Sequence, residues 1–191
     1  MAIVPDLQIG LWNGWLFMIV FLVQWLAILL IPGHLARRTG DVPEGRTRGY
    51  RLVSFLTNAL WIVASLYSIF LPFRLGTPWV WVGVLMFGIG LAILVLATIS
   101  IASTPEGSPF TSGVYRYSCH PGYLSIIVVY LGVSIAAASW IFLLITGLTF
   151  LMLQYAAKRE EEWCRVRFGD AYRLYMERTQ RWIGLPRAAI K

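Results

Sequence analysis

The chain has 191 residues, of which 58% are hydrophobic and only 13% charged, with a formal net charge of +7 and a mean hydropathy of +0.69. A soluble domain of this size carries about 25% charged residues, so the composition excludes an ordinary soluble protein and predicts an integral membrane one. The positive charge does not call for nucleic acid, because the basic residues fall in two juxtamembrane blocks, as the positive-inside bias expects.

A helix needs about 20 mostly apolar residues to cross a hydrocarbon core. The first such run is 11–32, with Trp12 and Trp15 as interfacial anchors. It lacks the basic start and small-residue cleavage site of a secretory signal and is too long for one, so it is expected to stay as a span. Residues 33–51 form a polar loop holding Arg37, Arg38, Arg46, Arg48 and Arg51 against Asp41 and Glu44. A second run, about 52–73, ends near Pro72, and Arg74, Gly76 and Pro78 mark a turn. Trp79 and Trp81 open the third run, 79–102, and a polar loop, 103–120, follows.

Residues 121–157 are almost wholly apolar and just long enough for two short spans. Ala136-Ala137-Ala138-Ser139 supplies a tight reversal and Trp140 an anchor, giving helices near 121–137 and 140–157; one long tilted helix is the competing parse. From Lys158 to about Met176 the chain is charged and helix-favouring. The expected fold is all-α: a polytopic helical membrane protein of about five transmembrane helices with a cytoplasmic C-terminal helix, in one domain over 1–191. Loop 33–51 and the tail hold most of the Lys and Arg, so both should face the cytoplasm. Five spans with the N-terminus outside satisfy both, and put loop 103–120 on the same face. Membrane lipids are the implied surroundings; the sequence does not specify an oligomeric state.

Several polar groups stand out at the margins of the apolar runs. His120-Pro121 falls where the fourth helix begins; proline suits the first helical position, and free N–H groups there suit an anion. As a bland alternative, His120 is a polar interfacial residue. Tyr115, Tyr117 and Tyr123 surround it beside Arg116, denser than interfacial anchoring needs, and tyrosine faces attract cations such as a sulfonium. Glu160-Glu161-Glu162 closes the fifth run; pairing of Glu161 and Glu162 with Arg165 along a solvated helix is the ordinary account, and a ligand-facing carboxylate the functional one. Gly88-Ile89-Gly90 lies inside the third run with no strand-to-helix turn around it, so it predicts close helix packing or the approach of a flat ligand. Cys119 and Cys164 have no metal or redox spacing, and with His34 and His120 as the only histidines a histidine-rich metal centre is excluded; no metal is expected.

These residues resemble a known family. Thr104-Pro105 through Gly113-Val-Tyr-Arg-Tyr-Ser-Cys-His-Pro-Gly-Tyr123 is similar to the signature of integral-membrane methyltransferases related to isoprenylcysteine carboxyl methyltransferase and, more distantly, to phospholipid methyltransferases. Its second half is a glutamate pair followed by Phe-Gly-x-x-Tyr-x-x-Tyr, matched by Glu160-Glu161 and Phe168-Gly169-Asp170-Ala171-Tyr172-Arg173-Leu174-Tyr175; Arg181-Trp182-Ile183-Gly184-Leu185-Pro186 suits the small microbial members. The resemblance covers 104–186, with cofactor motifs at 104–123 and 158–186. It implies S-adenosylmethionine as methyl donor, S-adenosylhomocysteine as product, and a lipophilic acceptor such as a prenylcysteine-like carboxylate, a phospholipid amine or a small thiol. It further implies a cofactor pocket of His120, Pro121, Tyr123, Tyr115, Tyr117, Glu160 and Glu161, with Gly88 and Gly90 added by the phospholipid branch. His120, Arg116 and Glu161 are the catalytic candidates. Cys119 departs from the usual arginine before the histidine, so Arg116 or a tail arginine would have to compensate. The alternatives are a sterol-type membrane reductase using NADPH, disfavoured by the short chain, and a non-enzymatic transporter or assembly protein, disfavoured by the near absence of charge within the apolar runs.

Overall fold

The computed structural model describes residues 7–30, 48–105 and 107–186; the arginine-rich loop through Arg46, His34 and Glu106 lie outside the described residues. Among the described residues the fold is six α-helices and no strands: α1 (Trp15–Leu30), α2 (Arg48–Ile69), α3 (Pro78–Ser103), α4 (Pro121–Ala136), α5 (Trp140–Phe168) and α6 (Asp170–Arg178), with a 3-10 turn at Gly113–Arg116. Helices α2, α3 and α5 are long and apolar enough to cross a membrane, and α1 and α4 are shorter apolar helices. The chain is a polytopic helical membrane protein.

The boundaries have local causes. Pro78 and Pro121 occupy the first turns of α3 and α4, where a missing N–H leaves nothing unpaired. The apolar stretch 121–157 is two helices. Ala138 turns through the left-handed region at φ 49°, and the Ser139 hydroxyl accepts the Phe142 N–H to cap α5. α5 does not stop at 157, where its apolar part ends. No Gly or Pro interrupts 148–168, and Lys, Arg and Glu favour helix, so the charged segment from Lys158 extends the same helix. Gly169, at φ 56°, ends it and α6 begins.

One end of the bundle is closed by chain reversals. The Asn13 amide donates to the carbonyls of Gln8 and Ile69, each at 2.6 Å; the Gly14 N–H meets the Leu71 carbonyl, and the Arg74 N–H the Ala136 carbonyl. Helix α4 runs from the opposite end to this one through the middle of the bundle, burying Val129, Tyr130, Val133 and Ala136 against Phe17, Phe21, Ala64 and Phe142 of its neighbours. Its burial explains how a 16-residue helix, about 24 Å long, is held without the length of a full span.

Helices α3 and α4 meet backbone to backbone. A side chain on Gly132 would lie 2.9 Å from the Gly83 carbonyl, and one on Gly83 2.6 Å from the Gly132 carbonyl. Small residues allow such approach in membranes, where dispersion replaces the hydrophobic effect as the force between helices. Gly132→Leu is therefore expected to destabilise the protein by about 1–3 kcal/mol or more. Gly88→Ala, with nothing within 4 Å of the added carbon, should leave the thermal midpoint in detergent unchanged. Equal midpoints for the two variants would refute this packing.

Candidate functional site

The reversal at 137–139 sets α4 and α5 side by side, and the unbroken run of α5 past Ala157 carries its carboxylates to the start of α4. There, at the far end from the reversal, the Nε2 of His120 lies 3.2 Å from Glu161 Oε1, and its Nδ1 3.5 Å from Glu160 Oε2. Glu161, 2% exposed, also accepts a two-point ion pair from Arg181, Nε to Oε1 at 2.6 Å and Nη2 to Oε2 at 2.7 Å. Such fork geometry is specific to guanidinium. The Tyr123 ring stacks on the imidazole, centroids 5.3 Å apart and planes within 6°. Trp182 lies 6.5 Å from His120 and 5.1 Å from Phe150 of α5, centroid to centroid.

Arg181 and Trp182 reach the cluster because the segment after α6 is tied across the motif loop. The Cys119 N–H donates to the Gln180 carbonyl and the Gly184 N–H to the Tyr117 carbonyl, each at 3.0 Å. The Ser118 hydroxyl donates to the Arg181 carbonyl and itself accepts the His120 N–H. Below the loop, the Tyr175 hydroxyl donates to the Tyr115 carbonyl at 2.6 Å. Cys119 is buried against Tyr172 and Tyr175. That burial pushes its thiol up to about 11, so it stays neutral and is no ready nucleophile.

Burial opposes a charge on His120, but hydrogen bonds to Glu160 and Glu161 and their negative charge outweigh it, raising the imidazole to about 9. Burial likewise opposes charge on Glu161, and the hydrogen bonds from His120 and Arg181 outweigh it, lowering the carboxyl to about 2. At neutral pH the residue at 120 is therefore an imidazolium donating from both nitrogens. It has no lone pair with which to act as a base. Glu160, with its side chain about half exposed, is the carboxylate in this cluster with capacity left to accept.

The sequence candidates divide accordingly. His120, Glu160, Glu161 and Tyr123 come together, with Pro121 buried at the first turn of α4. Tyr115 is half-buried, its phenol held above the usual range by burial and then by the charge of Glu160. Tyr117 is exposed. Arg116 is exposed at the end of the 3-10 turn, and among the described residues no ion pair joins it to the cluster. The guanidinium that arrives is Arg181, a tail arginine. Of the two readings of Gly90, close helix packing is the one seen: a side chain there would lie 2.7 Å from Val129 Cγ2 and 3.2 Å from the Ser125 carbonyl of α4. Gly88 faces open space. The expected pairing of Glu161 and Glu162 with Arg165 does not form either. Glu162 pairs with Arg159 at 2.9 Å, and the Arg165 guanidinium points to the Met176 sulfur at 3.6 Å.

Arg181 and Trp182 were not among the site candidates, since nothing in the spacing of a tail arginine says that it folds back 20 residues onto a buried carboxylate. The available signal was Glu161 itself: three adjacent acids with one deep inside require a cation, and Arg165 on the same helix was the wrong one.

No curated protein matches the chain. A family model described as phospholipid methyltransferase matches residues 78–171, from the first turn of α3 through the histidine, the glutamates and the start of α6. Arg181 and Trp182 lie beyond that match. Over the helices that carry the histidine–carboxylate cluster, the chain is thus similar to the phospholipid methyltransferases, a membrane methyltransferase family related to the isoprenylcysteine carboxyl methyltransferases.

Proposed function

We propose that this protein transfers a methyl group from S-adenosylmethionine to a lipophilic acceptor at the cytoplasmic face of the membrane. The observation that carries the reading is the junction of the two sequence blocks, His120 between Glu160 and Glu161, within the stretch that matches a methyltransferase family. The side chains present suit the donor. Glu160 can accept hydroxyl or ammonium hydrogens, and the faces of Tyr123 and Tyr115 suit a sulfonium. When bound, S-adenosylmethionine would supply a methyl group already activated on sulfur.

The protein's own contribution is then positional and electrostatic. Arg181 fixes Glu161, Glu161 fixes the imidazolium, and the imidazolium and Tyr123 present a rigid wall; alignment of reactants alone is worth large factors in rate. A carboxylate acceptor needs no base, and an amine or thiol would give its proton to Glu160 rather than to His120, which holds protons on both nitrogens. The positive-inside rule assigns this end of the bundle to the cytoplasm, where a charged, water-soluble donor is found, and the N-terminus to the other side. A single membrane-embedded domain over 1–191 accommodates both motif blocks.

Calorimetric titration of the detergent-solubilised protein with S-adenosylhomocysteine and, side by side, with NADPH tests the reading. Saturable binding of the first alone is expected. Binding of NADPH, or of neither, would reject it. Mass spectrometry of membrane lipids after incubation with isotopically labelled donor then names the acceptor.

A further inference from the structure

Among the described residues, the Trp182 indole nitrogen is the buried side-chain polar atom with no hydrogen-bond partner. Native proteins pair nearly all such groups, and leaving one unpaired is costly. Tryptophans that merely anchor a protein at the interface turn their N–H to the head groups; this one is turned inside. The ring neighbours both His120 and Phe150. Phe150 belongs to the apolar part of α5, and with Trp140, Leu143, Leu144, Leu148 and Leu151 it lines an open groove of about 580 Å³. The unpaired donor thus stands where an apolar surface meets the polar cluster.

We infer that the Trp182 N–H is the contact for an oxygen on the head group of an amphipathic methyl acceptor whose hydrocarbon tail lies along the α5 groove. An indole nitrogen only donates, so its partner is an acceptor atom, and a carboxylate or phosphate oxygen makes the stronger bond. The head group reaches it from the bilayer side by displacing Phe150, while the groove holds the tail. The inference rests on the methyl-transfer reading but concerns a different part of the ligand set, the acceptor rather than the donor.

Trp182→Phe retains a ring against His120 and Phe150 and removes only the donor. In full-length protein labelled with ¹⁵N at tryptophan and held in maltoside micelles, the Trp182 indole signal is the one absent from this variant, with Trp182→Tyr as a second assignment. Oleate, carrying a carboxylate, and dioleoylphosphatidic acid, carrying a phosphate, are added separately. At least one is expected to move the signal downfield and to bind about tenfold more weakly to Trp182→Phe; which one does so identifies the oxygen. A shift produced by S-adenosylhomocysteine alone would assign the contact to the donor and overturn the inference, as would no shift with either lipid. Calorimetry with S-adenosylhomocysteine on the same sample reports separately on the donor site, so loss of the methyl-transfer reading and loss of this contact are told apart.

Discussion

Glu161→Gln is expected to abolish binding of S-adenosylhomocysteine and to cost about 3 kcal/mol of stability, whereas Glu160→Gln should cost clearly less and still impair binding at least tenfold. The two residues are neighbours in sequence with opposite surroundings. Glu161 is 2% exposed and carries both the His120 and Arg181 bonds; removing one member of a buried charge network strands the others. Its partner Arg181 is a third exposed, which softens the loss. Glu160 is about half exposed and 3.5 Å from His120, so its share in holding the imidazolium is screened by solvent. Its carboxylate is nevertheless the one open to a ligand, and a charge-assisted hydrogen bond lost there is worth a factor of ten or more. Thermal midpoints and calorimetric titrations of both variants check this. Two variants equally stable, or a Glu160→Gln protein that binds as tightly as the parent, would contradict the division of roles.

Raising the pH is the second strong lever. His120 is raised in the folded protein to about 9, from an ordinary 6.5. A group whose folded value is raised contributes its stability in full below its unfolded value and loses it as pH climbs through the folded one. The protein should therefore lose on the order of 3 kcal/mol between about pH 6.5 and 9, with donor affinity falling only as pH passes through about 9, where the folded imidazolium discharges. Glu161 behaves oppositely. Its folded value is depressed to about 2, so its contribution is present above about 4.5 and is lost only as pH falls through 2. Together they predict a plateau near pH 4.5–6.5. His120→Gln should flatten the alkaline limb while leaving the rest of the curve in place. An unchanged alkaline slope in that variant would mean that some other group titrates there.

The membrane class, the helical runs, the reversal near Ala138 and the meeting of His120 with Glu160 and Glu161 were all readable from the residues. Each depends on local chemistry: apolar length, proline and serine at helix starts, a dense polar island at a membrane margin. What the residues did not decide were matters of side-chain partnership across the fold. Gly88 and Gly90 look alike in sequence, yet two residues along a helix turn the backbone by about 200°, so one faces α4 and the other open space. Arg116 stands next to the motif and stays outside, while Arg181 comes from beyond α6 to hold Glu161. Ion pairing follows distance in space, and only the packed chain sets which arginine is near. The ionisation of His120 was equally out of reach beforehand, because burial alone would have discharged it. It took two carboxylates delivered by the continuous extension of α5 to reverse the sign.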